Sequence, residues 1–147
     1  MKHQTVPYPT TLHVRDRCLC LHVQRAARTL ARRFDDALRP VGLTNGQFSL
    51  LMSLNRPDPP NIRSVAELLG MDRTTLTAAL KALEPRGLVR VTPDPADARS
   101  RLLGLTSKGL KALHRALPIW DLEHKSIEAF LGSTRSNLLR RDLYSLT

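Results

Sequence analysis

One glycine between two short apolar-periodic segments constrains this chain more than any other feature. Residues 61–110 run NIRSVAELLGMDRTTLTAALKALEPRGLVRVTPDPADARSRLLGLTSKGL. Leu69-Gly70-Met71 separates two segments whose apolar residues recur every three or four positions, the spacing of amphipathic helices. Gly70 suits the left-handed residue that ends a helix. Two short apolar runs follow, Leu88–Val91 and Arg101–Leu105, either side of a charged, Pro-rich stretch. The predicted order is helix, tight turn, helix, β-hairpin.

The second of these helices, from Arg73 to about Glu84, has Asp72 as its N-cap. At 100° per residue, Leu76, Ala79, Leu80 and Leu83 form one stripe. Thr74, Thr77, Ala78 and Lys81 face the other way, with Arg73 and Thr75 on the flanks. A solvated surface helix usually carries more Glu and Lys. Small hydroxyl and methyl side chains let a backbone sink into the major groove, where Thr and Ala meet base edges and thymine methyls. Arg and Lys reach guanine or phosphate. In the hairpin, Arg99 and Arg101 are the candidate cations. Arg99 at the tip would enter a narrow minor groove, where the potential is most negative, with Asp97 pairing to Arg99 or Arg101. This is the winged form of the helix-turn-helix.

The rest of the chain supplies a frame for that device. Residues 1–14 show no periodicity and are expected to be an arm. From Arg15 to Val41, Leu19, Val23, Ala26, Leu30, Phe34 and Leu38 mark one long amphipathic helix, stopped at Pro40-Val41-Gly42. Thr44 and Gln47 fit a capping box for a helix from Asn45 to about Leu54. Ser64-Val65-Ala66-Glu67 reads as another, with Val65, Leu68 and Leu69 packing inward. After Thr106, Leu110, Leu113, Leu117, Ile127, Phe130, Leu138, Leu139 and Leu143 continue the helical pattern. These segments lie far in sequence from the reading helix and are expected to make a helical dimer interface. The fold class is mainly α with a small β-wing, in one domain over residues 1–147. Residues 1–14 are the arm, 15–41 and 107–147 the dimerisation helices, and 44–105 the DNA-binding lobe.

Charge agrees with a polyanionic partner but does not localise it. The formal net charge is +10 at pH 7. Residues 1–41 carry eight Lys and Arg against three acids, residues 61–101 seven against five, and residues 102–147 seven against four. A non-specific architectural nucleic-acid binder is the alternative that the charge alone allows. There is no Gly-rich phosphate loop, metal motif or nucleophile signature, so no enzyme, cofactor or metal is expected. No apolar run is long enough to span a membrane, and no signal-peptide core is present, which predicts a cytoplasmic protein.

The ordered motifs resemble MarR-family transcriptional regulators. The resemblance rests on Ala37-Leu38-Arg39-Pro40-Val41-Gly42-Leu43-Thr44, on Val65 through Thr77, and on Leu83-Glu84-Pro85-Arg86-Gly87-Leu88-Val89. It also rests on Asp97-Ala98-Arg99-Ser100-Arg101 and Leu105-Thr106-Ser107-Lys108-Gly109. It implies a homodimer that represses from a palindromic site on double-stranded DNA and lets go when a small aromatic effector binds or an oxidant attacks. It also implies a reading helix from Asp72 to about Arg86. Pro85 departs from the pattern: it cannot donate to the carbonyl of Lys81, which predicts a loosened last turn. The Pro-rich loop at 55–61 is a second departure.

Cys18 and Cys20 are the only thiols. The organic-peroxide regulators of the family carry a reactive cysteine in the first long helix, and Cys20 matches its position. The accompanying tyrosines are replaced by Gln24 and Phe34, so a donor to the thiolate would have to come from His13, His22 or a partner's arginine. If the segment is helical, Cys18 and Cys20 point about 200° apart, which disfavours a disulfide within it. Cys18 and His22 would share a face, but two ligands make a weak metal site. In this family ligands sit between the reading head and the dimerising helices, and Phe48, Met52, His114 and Trp120 are the candidate liners.

Overall fold

The computed structural model describes residues 5–147. Seven helices and one hairpin follow in chain order: α1 (Tyr8–Arg17), α2 (Leu19–Leu38), a 3-10 turn (Arg39–Val41), α3 (Asn45–Ser53), α4 (Ile62–Leu69) and α5 (Arg73–Leu83). Then come β1 (Val89–Asp94), β2 (Asp97–Leu105), α6 (Ser107–Leu131) and α7 (Ser133–Tyr144).

The first difference from expectation is at the N-terminus. The stretch without periodicity is helical from Tyr8, and of its described residues only 5–7 lie outside the helix. The first four residues of the expected arm lie outside the described residues. Pro7 is the N-cap of α1 and Pro9 sits in its first turn, where a missing N–H costs nothing. No residue of α1 is buried, so no apolar stripe was there to be read. The expected long helix is also broken. Cys18 has ψ 103°, outside the helical region, and serves at once as C-cap of α1 and N-cap of α2. Its Sγ accepts from the Leu21 N–H at 3.4 Å.

The core sits where α2, α3, α5, β2 and α6 meet. Leu38, Leu50, Leu51, Val65, Leu76, Leu83 and Leu103 are essentially fully buried. The Thr44/Gln47 capping box is present in both directions, at 3.2 and 3.1 Å. The capping of α4 begins three residues earlier than expected. Asn61, not Ser64, is its N-cap, accepting from the Ser64 N–H at 2.9 Å. The prolines at 59 and 60 keep the preceding backbone extended and deliver the chain to Asn61 as a cap. Within α4, Val65 and Ala66 are buried, while Leu68 is largely exposed, against expectation.

The hairpin is longer and tighter than the two apolar runs suggested. β1 and β2 pair antiparallel from Val89 opposite Leu105 to Pro93 opposite Arg101, and a register shift then sets Asp94 against Asp97. The Pro-rich stretch is therefore strand plus a short turn. Asp94 accepts from the Ala96 N–H at 2.9 Å, an Asx-type closure that makes the turn possible. α5 ends at Leu83 with Glu84 as its C-cap, so Pro85 lies beyond the helix and its missing donor breaks no helical bond. The reading helix is correspondingly shorter than the resemblance implied.

α6 runs unbroken through Pro118. The carbonyl left without a donor there belongs to His114, an exposed residue, where water can satisfy it. An ion pair at 2.6 Å between Arg33 and Glu123 ties α2 to α6. One between Arg140 and Glu128 at 2.7 Å ties α7 to α6. No helix among the described residues is long and apolar enough to cross a membrane.

Candidate nucleic-acid interface

The turn between α4 and α5 fixes how α5 is presented. Gly70 adopts φ 63°, ψ 31°, a conformation a Cβ would strain. Its N–H returns to the end of α4, and the Met71 N–H bonds the Ala66 carbonyl at 2.9 Å. Asp72 then caps α5. Its carboxylate accepts from the Thr75 N–H at 2.7 Å and from the Thr75 hydroxyl at 3.0 Å. These two bonds from Thr75, the backbone one first, hold the Asp72 carboxyl below the usual carboxylate range.

Leu76, Leu80 and Leu83 anchor α5 in the core. The opposite face is open, and Arg73, Thr74, Thr77, Ala78 and Lys81 together border one shallow hollow of about 310 Å³. Thr75 stands apart, because its hydroxyl is turned back onto Asp72. The Thr77 hydroxyl donates to the Arg73 carbonyl at 2.7 Å, which leaves its oxygen free to accept.

A second hollow, of about 340 Å³, opens beside the first and shares Arg73 with it. Arg99, Asp97 and Ser100 reach it from β2, and Asn61 and Arg63 from the start of α4. Arg99 thus lies on the strand near the turn rather than at the tip. Asp97 makes no ion pair with Arg99 or Arg101 among the described residues. It accepts the backbone N–H of Arg99 at 2.9 Å instead, which fixes the strand and leaves the guanidinium uncommitted. Arg101 is exposed opposite Pro93 and borders neither hollow.

Arg63 is the residue that the sequence did not point to. Placing the cap at Ser64 left Arg63 in a loop, whereas with Asn61 as cap it stands in the first turn of α4, facing Arg73 and Arg99 across the hollow. The signal was available in Asn61, a strong capping residue three positions before Ser64. Arg63 pairs with Glu67 at 2.9 Å, and this bond holds its proton still more firmly than usual.

Away from these hollows, α3, α4 and α6 border an open apolar cavity of about 460 Å³. Phe48, Met52 and Trp120 line it, joined by Leu68, Leu69 and Leu117. Phe48 and Trp120 stack at 6.1 Å and Trp120 and His124 at 4.8 Å. His114 does not join them; it is exposed one turn away among Lys108, Lys111 and Arg115.

The break at Cys18 changes the thiol geometry. The 200° separation of Cys18 and Cys20 assumed a continuous helix, which the chain does not have there. His22 bonds the Cys18 carbonyl through Nδ1 at 2.8 Å rather than facing its sulfur. The position expected to lack a donor has one: the Gln24 side-chain amide donates to Cys20 Sγ at 3.1 Å, and Arg28 donates to the Gln24 oxygen at 3.2 Å. Cys20 is exposed, while Phe34 is buried. No group of three or more His, Cys, Asp or Glu among the described residues is arranged to hold a metal.

With this geometry in place, similarity to known proteins is informative. Residues 43–100 match the MarR family model. The chain is 40% identical over 92 residues to the transcriptional regulator HosA of Escherichia coli, covering 61% of this chain and 64% of HosA. It is 30% identical over 129 residues to the transcriptional activatory protein BadR of Rhodopseudomonas palustris, covering 85% of this chain and 70% of BadR. Its fold superposes on the Mycobacterium tuberculosis regulator MosR in complex with DNA with a TM-score of 0.80 at 40% identity, over 88% of this chain and 92% of that one. The two-helix reading head, the two-stranded wing and the long helices around them are those of these regulators, and the chain belongs to the MarR family.

Proposed function

We propose that the protein is a sequence-specific, double-stranded-DNA-binding transcription regulator that works as a homodimer on a palindromic site and represses. One observation carries this reading. Arg73, Thr74, Thr77, Ala78 and Lys81 share one open face of α5, and Arg73 continues that face across a second hollow to Arg99 on the wing. Small acceptors and methyls suit base edges in the major groove, and the flanking guanidinium groups suit phosphate and the minor groove. That MosR, whose fold this chain shares, forms a complex with DNA supports the DNA-binding part of this reading.

Dimerisation follows from what a single chain leaves uncovered. Leu19, Val23 and Leu30 of α2, Leu122 and Phe130 of α6, and Leu138, Leu139 and Leu143 of α7 are exposed. Scattered leucines need no explanation, but a series along three neighbouring helices asks for a partner. Residues 15–41 and 107–147 would supply that interface and 44–105 the DNA-binding lobe, with two-fold symmetry setting the half-site spacing.

Release is assigned to a small aromatic effector in the Phe48–Met52–Trp120 cavity or to oxidation of Cys20. The cavity is apolar and lies between the reading lobe and α6. Cys20 is exposed, and the Gln24 side-chain amide donates to its sulfur.

The test is selection from a library of random duplexes, with reduced protein, with protein exposed to an organic hydroperoxide, and with a Cys20→Ser variant. A palindrome bound when reduced and released on oxidation only when Cys20 is present supports a thiol-responsive repressor. A palindrome bound equally in both states assigns control to the cavity. Affinity without sequence preference at any salt concentration overturns the regulator reading in favour of an architectural binder.

A further inference from the structure

A third hollow, of about 270 Å³, lies on neither the reading face nor the Phe48–Trp120 cavity. The loop between α3 and α4 forms one wall, the root of the hairpin another, and the start of α6 the third. This is the Pro-rich loop that departs from the family pattern. Two arginines from separate elements border the hollow, Arg56 on the loop and Arg90 on β1. No acidic side chain is among its walls; Asp58, the loop's one carboxylate, lies outside them. Neither guanidinium has a hydrogen-bonded or ion-paired partner among the described residues, whereas Arg33, Arg39, Arg63 and Arg140 are each paired with a carboxylate.

Gly104 supports the same picture. Its backbone φ does not demand glycine, yet a Cβ there would stand 3.2 Å from Nε of Arg90. The missing side chain lets Arg90 lie across its partner strand beside the hollow. The loop is also held in place. Its Pro60 carbonyl accepts from the Leu103 N–H at 2.8 Å, Asn61 bridges to Leu102, and prolines at 57, 59 and 60 limit its conformations. Two unpaired guanidinium groups on the walls of one hollow form a site that gains from an anion, and pre-ordered walls reduce what binding it costs. Leu54, Leu105 and Leu110 add apolar surface, and Thr106 and Ser107 add polar groups.

We propose that this hollow is a binding site for a small organic anion, a carboxylate or phosphate monoester with a hydrocarbon body. The anionic group would lie between Arg56 and Arg90 and the body against Leu105 and Leu110. The site stands where β2 passes into α6, so an occupant bridges the reading lobe and the dimerising helix. This inference does not depend on the DNA-binding reading, and its test uses no DNA.

The test titrates the full-length protein with phenyl phosphate, benzoate, inorganic phosphate and neutral phenol by calorimetry, in wild type, Arg56→Gln and Arg90→Gln. Both arginines are exposed, and unchanged melting would show that the variants fold. Saturable binding of phenyl phosphate or benzoate is expected, weakened about tenfold or more in each variant. Inorganic phosphate should bind more weakly and phenol should not respond to either substitution. The lone tryptophan, Trp120, lines the other cavity and serves as a control. The proposal is overturned if neither organic anion binds at millimolar concentration. It is equally overturned if binding is indifferent to both substitutions, whether or not it shifts Trp120 fluorescence.

Discussion

Arg63 offers the sharpest test of the reading face, because it enters only through the three-dimensional arrangement. Arg63, Arg73, Lys81 and Arg99 border the two hollows and Arg101 is exposed on the wing, five cations in all and ten in a dimer. If each neutralises one phosphate, the slope of log affinity against log salt is about −9, at about 0.9 per contact. Arg63→Gln removes two contacts per dimer and should bring the slope to about −7. Between 50 and 200 mM salt the affinity gap between wild type and variant should then narrow by about tenfold. Phosphate contacts carry no sequence information, so the selected sequence should not change. Glu67→Gln is the complementary probe: it frees Arg63 from its ion pair and removes a carboxylate from beside the path, so affinity should rise. Fluorescence anisotropy over a salt series measures both. Parallel salt lines for wild type and Arg63→Gln would refute the placement of a phosphate in this hollow. A lost sequence preference would instead make Arg63 a base reader or a structural residue.

Three further outcomes follow from local geometry. Arg99→Ala should weaken binding most on AT-rich flanks, where the minor groove is narrow, and equal loss on GC-rich flanks in the same anisotropy assay would exclude insertion there. Gly109→Ala should lower stability although alanine is the better helix former by about 1 kcal/mol. The added Cβ would clash with the Leu88 carbonyl oxygen, a backbone atom that cannot turn aside. Overpacking of about 1–3 kcal/mol should prevail and lower the melting temperature by several degrees, and unchanged melting would show that α6 is free to shift. The depressed Asp72 carboxyl gives a pH signature. Its folded value lies below its unfolded one, so its capping contribution is complete above the ordinary Asp range near 4 and is lost as pH falls through the lower folded value. The stability difference between wild type and Asp72→Asn, followed by thermal melting, should therefore shrink on acidification below about pH 4; a difference that is constant with pH would show that the charge plays no part.

What could be read from the chain alone was whatever leaves a local chemical trace. The Thr44/Gln47 box, the left-handed Gly70, the Asp72 cap and the Leu76–Leu80–Leu83 stripe are short-range devices, and each appears where its spacing put it. Features that depend on distant neighbours were not legible. α1 has no buried face in a single chain and hence no period. Cys18 interrupts an apolar pattern that continues across it. Leu68 kept the helical spacing but faces the cavity between α3 and α6 instead of the core. The hairpin tip looked like a loop because its prolines and aspartates are turn formers, yet Asp94 and Asp97 spend their oxygens on backbone N–H groups and so let the strands continue.

If the proposed ligands occupy either cavity, the joint between α5 and α6 is where their effect would pass to the DNA-binding lobe. The Thr106 hydroxyl donates to the Gly87 carbonyl at 2.6 Å, and its oxygen accepts from the Gly109 N–H at 3.0 Å. Lys108 Nζ donates to the Arg86 carbonyl at 2.7 Å, and Arg86 in turn donates to the Gly42 carbonyl at 2.7 Å. The segment just after α5 is thereby bonded to the first turn of α6 and to Gly42, at the end of the 3-10 turn that follows α2. Gly109 also packs directly on the Leu88 carbonyl, a further contact between α6 and the same segment. A rotation of α6, driven from the Trp120 cavity or from the hollow at its N-terminus, would through these bonds carry the Arg86–Leu88 segment and hence the base of the wing. Since β1 follows without a break, the distance between Arg99 and its counterpart in a dimer would change with it. Spacing that no longer matches one turn of DNA lowers affinity without altering any contact residue.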